Sequence, residues 1–93
     1  MKTNLKIGLI GLGIWGRKIA RDLIKIGVEL HVCDISSERR SQALELGAVT
    51  FTQKVLALRN MNGLIIASTT NTHYRILKQV LPWNIPVFVE KPI

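Results

Sequence analysis

Three closely spaced glycines near the N-terminus constrain the fold of this chain more than any other feature. Gly11, Gly13 and Gly16 lie in the segment G-L-G-I-W-G, between an apolar run and a segment of helical periodicity. The first glycine permits a tight turn, the second lets the backbone approach a ligand, and the third lets a helix pack closely on a strand. The segment therefore predicts a strand, a tight turn and a helix in direct succession.

Strand and helix patterns alternate along the rest of the chain, which is typical of a parallel sheet covered on both faces. A chain of 93 residues supports one core at most. We therefore expect one Rossmann-type α/β domain over residues 1–93, with a doubly wound parallel sheet of about five strands and helices on both faces. The patterns predict strands over 5–10, 30–33, 48–51, 64–67 and 87–89, helices over 14–26, from Ser36 or Ser37 to 46 and from the polar run 68–72 to 80, and a weak helical turn over 53–60.

Composition argues against several other classes of protein. The apolar fraction of 47% is too high for a disordered chain. No apolar run approaches the roughly 20 residues of a membrane helix, and no signal peptide is recognisable, so we expect a cytoplasmic protein without a membrane partner. The net charge of +7 would suit nucleic acid, but the basic residues are dispersed and do not alternate with aromatic ones. We therefore expect no nucleic-acid partner.

The cysteine and one histidine are expected to be structural. Cys33 has no second cysteine to pair with and lies in a predicted buried strand. His31 lies in the same strand, and no other ligand-forming residue stands at metal-binding spacing. We expect a buried thiol, a hydrogen-bonded strand histidine and no metal.

The glycine turn predicts a site for the pyrophosphate of a dinucleotide. The free N–H groups near Ile14 and Trp15 and the helix dipole favour an anion there. Asp34 ends the second predicted strand, where a carboxylate can accept hydrogen bonds from the adenosine ribose hydroxyls. Asp34 would repel a 2'-phosphate, which favours NAD over NADP, although Arg39 and Arg40 follow closely and could bind such a phosphate.

Two further polar stretches follow the fourth and fifth predicted strands. The first is A-S-T-T-N-T-H-Y, residues 67–74, at the sheet edge where ligands of open α/β folds bind. Helix capping would account for Asn71 or Thr72, and the remaining polar groups can face the nicotinamide half of the cofactor. The second is E-K-P, residues 90–92, in which Lys91 can face the same crevice. Spacing alone equally allows Glu90 and Lys91 to be a solvated charge pair after the strand.

The glycine segment, the polar stretch 67–74 and the E-K-P stretch occur in an order that resembles the N-terminal domain of one family. This is the glucose-fructose oxidoreductase, inositol dehydrogenase and rhizopine-catabolism family (Gfo/Idh/MocA). That family carries a stretch like A-T-P-N-x-x-H after the fourth strand and E-K-P after the fifth. Residues 67–73 match the spacing, with Ser68 at the threonine position and His73 at the histidine. Thr69 replaces the usual proline and Thr70 the usual asparagine, so we expect a less rigid loop.

The resemblance implies that Ser68, Thr70 and His73 lie on the nicotinamide side of the cofactor. It also implies that Lys91 lies between the nicotinamide and a substrate hydroxyl, in a turn shaped by its neighbours Glu90 and Pro92. His73, as an isolated histidine, fits equally well as a packing residue at the helix start.

By the same resemblance, the chain is the NAD-binding part of an oxidoreductase acting on a sugar, a polyol or a similar alcohol or carbonyl compound. The family's substrate pocket belongs to a C-terminal domain absent from this chain, so we expect negligible turnover from the chain alone. The alternative is a non-catalytic module that senses a dinucleotide or another nucleotide such as coenzyme A. An open sheet edge also predicts self-association or docking of the missing domain.

Overall fold

The part of the chain that the structure describes contains five strands, which form one parallel sheet in the order β3-β2-β1-β4-β5. The computed structural model describes residues 5–90, apart from the side chain of Thr70. The chain runs from β1 outward to β2 and β3, then crosses back to place β4 and β5 on the other side of β1. This is the predicted doubly wound topology, and it is confirmed. The strands are β1 (Lys6–Ile10), β2 (Glu29–Cys33), β3 (Thr50–Thr52), β4 (Gly63–Ile66) and β5 (Val87–Val89).

The α-helices within residues 5–90 are α1 (Ile14–Ile26), α2 (Arg40–Leu46) and α3 (Thr70–Val80). The first has the bounds that the sequence predicts. It ends at Gly27, whose φ of 95° lies in the left-handed region and whose N–H bonds to carbonyls of the last turn. Short 3₁₀ turns cover Ser37–Arg39, Val55–Leu58 and Leu81–Trp83. Within residues 5–90, no helix is long and apolar enough to cross a membrane.

Successive side chains of each strand point to opposite faces of the sheet and pack in two apolar layers, one on each face. Leu9 of β1 packs in the first layer with Ala20 of α1 and Ala43 of α2. Ile10, the next residue, packs in the second layer with Ile76 of α3. Helices therefore lie on both faces of the sheet. The ends of the strands lie between the two layers, where a site can form.

The second helix and third strand begin later than predicted. Ser36 makes no side-chain capping bond, and the chain first forms the 3₁₀ turn Ser37–Arg39 before α2 begins. The third strand begins at Thr50 and not at Ala48, because the N–H of Ala48 bonds to the carbonyl of Ala43 and closes the end of α2. Both differences arise from local bonds at helix ends, which hydrophobic periodicity does not report.

The two strand residues expected to be structural are both buried, and His31 is hydrogen-bonded. Cys33 is buried at the end of β2. His31 is also buried, its Nε2 lies 2.8 Å from Oε2 of Glu29, and its Nδ1 lies 2.7 Å from Oγ1 of Thr50. Both ring nitrogens thus have partners, and the expectation of a hydrogen-bonded strand histidine is confirmed.

The β5 edge of the sheet carries an exposed aromatic residue. Phe88 pairs in register with Ile65 of β4, which in turn pairs with Leu9 of β1. Leu9 is fully buried, whereas Phe88 is 60% exposed. The apolar row that crosses the sheet therefore ends in solvent at β5, as the predicted open edge requires.

Loss of a buried side chain from the central strand β1 should destabilise the whole domain. Leu9→Ala removes a fully buried side chain from β1 and should lower the free energy of unfolding by about 2–5 kcal/mol. Ile26→Ala, at a position 65% exposed, is the control and should change it by at most about 0.5 kcal/mol. Urea unfolding measures both, and equal losses would contradict the proposed core.

Candidate functional site

The glycine turn brings the ends of β1, β2 and β4 together. The N–H of Gly11 donates to the carbonyl of Cys33 over 2.7 Å, which ties the turn to β2. Gly11 has a φ of +102°, and a Cβ there would lie 2.7 Å from the backbone nitrogen of Ser68, after β4. Both the backbone conformation and the available space therefore require glycine at this position.

The other two glycines of the turn have different surroundings. A Cβ on Gly16 would collide with the carbonyl oxygen of Gly11, so this glycine lets α1 pack on the end of β1. A Cβ on Gly13 would meet no atom within 4 Å. The open space beside Gly13 is where a ligand could approach the backbone, as the sequence pattern predicts.

The N-terminus of α1 faces outward from this turn without a cap. Among residues 5–90 no side chain bonds to the first N–H groups of this helix, and its first turn contains no acidic residue. Ile14 and Trp15 are 66% and 43% exposed, and the Nζ of Lys18 lies 4.4 Å from the centroid of the Trp15 ring. The helix start thus combines free N–H donors with a positive dipole end, which is suited to an anion.

Asp34 joins the glycine turn to the segment that follows β2. Its Oδ2 accepts the N–H of Leu12 over 2.8 Å, and its Oδ1 accepts the N–H of Ser36 over 2.9 Å. Each carboxylate oxygen can accept a further hydrogen bond. The half-buried carboxylate is therefore fixed beside the turn with acceptor capacity left over.

A crevice of about 610 Å³ opens at the carboxyl ends of β1, β2 and β4. Its volume lies within the usual range for sites of small ligands and cofactors. It is bounded by both halves of the sheet and by the irregular segment after β3. The residues that line it are Ile10, Gly11, Gly13, Cys33, Asp34, Ile35, Ser36, Arg39, residues 53–56, residues 67–69, Thr72, Arg75, Ile76 and Gln79.

The polar stretch after β4 forms a hydrogen-bonded turn at one side of this crevice. Ser68 and Thr72 both line the crevice, and their hydroxyl oxygens lie 2.8 Å apart. His73 is half-buried, and its Nε2 donates to the carbonyl of Ser68 over 2.7 Å. The imidazole thereby holds the turn that presents the Ser68 hydroxyl.

The expected cap of α3 is wrong in detail. Thr69 occupies the N-cap position, ahead of the predicted Asn71 or Thr72, and makes no side-chain capping bond. Its hydroxyl donates to Oδ1 of Asn71, while the Thr72 hydroxyl donates to the carbonyl of Thr69. These side chains bond within the turn, so the free N–H groups at the start of α3 are not satisfied by them.

Glu90 follows β5 at the same edge of the sheet. Its N–H donates to the carbonyl of Ile66 over 2.9 Å, so strand pairing with β4 continues to the first residue of E-K-P. Glu90 is half-buried. Lys91 and Pro92 lie outside the described residues, as does the side chain of Thr70.

Several crevice residues carry little signal in the sequence. Residues 53–56 line the crevice at the start of the 3₁₀ turn Val55–Leu58, which is shorter than the helical turn predicted over 53–60, and Arg75 and Gln79 reach the crevice from α3. Cys33 also lines it, and burial, with a smaller effect from Asp34, raises the pKa of its thiol to about 11. The position of Cys33 at the carboxyl end of β2 could have identified it, because ligands of this fold bind at that edge of the sheet.

The doubly wound sheet, the glycine turn at its switch point and the crevice above it define a Rossmann-type dinucleotide-binding domain. A family model described as an oxidoreductase family with an NAD-binding Rossmann fold matches residues 5–93. The chain belongs to this Gfo/Idh/MocA family. The resemblance drawn from the sequence motifs is thereby confirmed.

Solved dehydrogenase structures are similar to the whole chain. UDP-N-acetylglucosamine 3-dehydrogenase from Acidithiobacillus ferrooxidans is 29% identical, with a TM-score of 0.83 over 97% of this chain and 30% of its own. A probable dehydrogenase from Thermotoga maritima is 29% identical, with a TM-score of 0.84 over 95% of this chain and 28% of its own.

Synechocystis arogenate dehydrogenase shares the fold at 20% identity, with a TM-score of 0.85 over 96% of this chain and 34% of its own. The chain therefore spans about a third or less of the length of these three proteins. A comparison with curated protein sequences gives no match.

Two alanine substitutions in the glycine turn should have different effects on stability, because one glycine is closely packed and the other borders open space. Gly16→Ala should destabilise the fold by about 1–3 kcal/mol, because its Cβ would overlap the Gly11 carbonyl. Gly13→Ala should leave the free energy of unfolding almost unchanged, because its Cβ enters open space. Thermal or urea unfolding tests the pair, and a larger loss in Gly13→Ala would contradict this geometry.

Proposed function

We propose that this chain is the cofactor-binding domain of a cytoplasmic oxidoreductase that uses NAD. The observation that carries the proposal is the uncapped N-terminus of α1, whose N-cap residue Gly13 lines the crevice together with Asp34. Such a helix start binds a pyrophosphate through free N–H groups and the helix dipole. The family's description as an NAD-binding Rossmann fold supports the same ligand.

In this proposal the glycine turn seats the pyrophosphate. Gly11 and Gly16 set the turn and the approach of α1, and Gly13 leaves room for the phosphates. The N–H groups of Ile14 and Trp15 donate to the phosphate oxygens. Because the structure leaves these N–H groups uncapped, no internal bond has to break before the ligand binds.

Asp34 binds the adenosine ribose and favours NAD over NADP. Its fixed carboxylate has spare acceptor capacity for the ribose hydroxyls and would repel a 2'-phosphate. The nicotinamide half then extends across the crevice toward Ser68, Thr70, His73 and Glu90. Support for this direction comes from Ser68, which lines the crevice on the β4 side, and from Glu90, which pairs with β4.

The complete protein transfers a hydride between the cofactor and an alcohol or carbonyl group of a sugar or polyol. A relative named for oxidation of a nucleotide-linked sugar supports this substrate class. Lys91, two residues after Val89, would donate or accept the proton at the substrate oxygen. The remaining walls of the substrate site would come from a partner domain, so the chain alone has little turnover.

Removal of the Asp34 carboxylate should weaken NAD binding. Asp34→Ala deletes the proposed ribose acceptor and the bond to the Leu12 N–H, so the Kd for NAD should rise about tenfold or more. Glu38→Ala, which removes an exposed carboxylate from the adjacent 3₁₀ turn, is the control and should bind normally. Calorimetric titration measures both, and an unchanged Kd in Asp34→Ala would reject the ribose contact.

The role of Lys91 is tested by activity of the complete protein. Lys91→Met removes the proton-transferring amine, and the turnover rate should fall about a hundredfold or more. The Kd for NAD should change little, because the amine is assigned to the substrate and not to the adenosine half. Full turnover in this variant, with NAD binding intact, would show that Lys91 carries no proton.

A further inference from the structure

We propose that Thr72 is a positioning residue that turns the hydroxyl proton of Ser68 away from the crevice. The Ser68 oxygen is thereby kept as a hydrogen-bond acceptor, and the group that it receives is a hydroxyl of the ribose next to the nicotinamide. The inference rests on the proposed function, because it takes the pyrophosphate to lie at the glycine turn.

One carbonyl group determines the direction of two hydroxyl protons. The Oγ1 of Thr72 lies 2.7 Å from the carbonyl oxygen of Thr69, and a carbonyl oxygen can only accept. Thr72 has a single hydroxyl proton, and this bond uses it. The Oγ of Ser68 lies 2.8 Å from the same Thr72 oxygen. Because Thr72 has no second proton to give, Ser68 is the donor in this pair.

The bond to Thr72 determines what Ser68 can offer to a ligand. Ser68 also has a single hydroxyl proton, and that proton is directed at Thr72. The Ser68 oxygen keeps its lone pairs, and the residue lines the crevice. A lone pair accepts from an O–H or N–H group and repels an anionic oxygen. This side of the crevice therefore suits a neutral hydrogen-bond donor and not a phosphate.

The neighbouring hydroxyl of Thr69 has the same polarity. Its Oγ1 donates to Oδ1 of Asn71 over 2.7 Å, and Thr69 also lines the crevice. The hydroxyls of Ser68, Thr69 and Thr72 thus all donate to groups within the turn. The turn after β4 therefore presents hydroxyl lone pairs to the crevice.

The start of α1 has the opposite polarity, and the two together order a dinucleotide. Its uncapped N–H groups and positive dipole end suit the pyrophosphate. Ser68 lies beside this place, because a Cβ on Gly11 would come within 2.7 Å of its backbone nitrogen. A dinucleotide carries a ribose on each side of its pyrophosphate. With the adenosine ribose assigned to Asp34, the other ribose is the group that reaches Ser68.

The alternative is that Thr72 merely stabilises the first turn of α3. Its N–H and its hydroxyl both donate to the Thr69 carbonyl, which fastens that turn. Three ligands separate the two roles, because ADP ends at the pyrophosphate, ADP-ribose adds the second ribose, and NAD adds the nicotinamide. A fastening role predicts equal changes for all three ligands, whereas a positioning role predicts changes for ADP-ribose and NAD alone.

The experiment is calorimetric titration of the purified protein with NAD, ADP-ribose and ADP. Thr72→Val removes the acceptor of the Ser68 proton, so the Kd for NAD and ADP-ribose should rise about threefold to tenfold and that for ADP should stay nearly unchanged. Thr72→Ser keeps the hydroxyl and should bind all three ligands normally. Thr50→Val, which removes a threonine hydroxyl that does not line the crevice, is the matched control and should alter no Kd.

A double-mutant cycle tests whether Thr72 acts through Ser68. Ser68→Ala removes the accepting oxygen and should raise the Kd for NAD and ADP-ribose about tenfold. Thr72→Val should cause no further change in this background, because the oxygen that it orients is gone. Thermal unfolding of each variant checks that the fold persists. If Thr72→Val does not fold, Ser68→Ala still decides whether Ser68 binds the second ribose.

Equal weakening of NAD and ADP by Thr72→Val, normal NAD binding by either single variant, or additive losses in the double variant would overturn the proposal and leave the proposed function intact. Weaker binding of NAD with unchanged binding of ADP-ribose would overturn the assignment to the ribose. Absence of binding by all three ligands would defeat the proposed function and this inference together.

Discussion

The close approach of α1 to the end of β1 is the contact on which the site depends. The carbonyl of Gly11 occupies the space that any side chain at position 16 would need, while the Gly11 amide bonds to the end of β2. The same residue packs against the backbone after β4. Strands from both halves of the sheet are thereby held at one point, and the helix dipole is directed at the space between them.

The prediction from sequence works best where a single repeating pattern decides the structure. The bounds of α1 and β5 follow from apolar periodicity and from glycine or proline at their ends. It is less accurate at β3, where the closure of α2 uses the amide of Ala48, and at the start of α2, where a 3₁₀ turn precedes the helix. Such bonds form between backbone groups and leave no compositional signature.

At the candidate site, too, the sequence predicts some residues and misses others. Motif spacing identifies the glycines, Asp34 and Ser68, because each follows a strand at the ligand-binding edge of the sheet. It does not identify residues 53–56, which reach the crevice where the chain enters the 3₁₀ turn Val55–Leu58, or the bond from His73 to the Ser68 carbonyl. The first depends on the path of the chain between β3 and β4, and the second is a side-chain bond within the turn that begins α3; a strand pattern encodes neither.

The two amide bonds to Asp34 also have a consequence for the rate at which the proposed cofactor would bind. Because folding has already immobilised this carboxylate, its rotamer entropy is lost before any ligand arrives. Under the proposed assignment of Asp34 to the adenosine ribose, binding requires no rearrangement of this side chain, so diffusion and desolvation would set the association rate there. Differences in affinity among bound nucleotides should accordingly arise in their residence times.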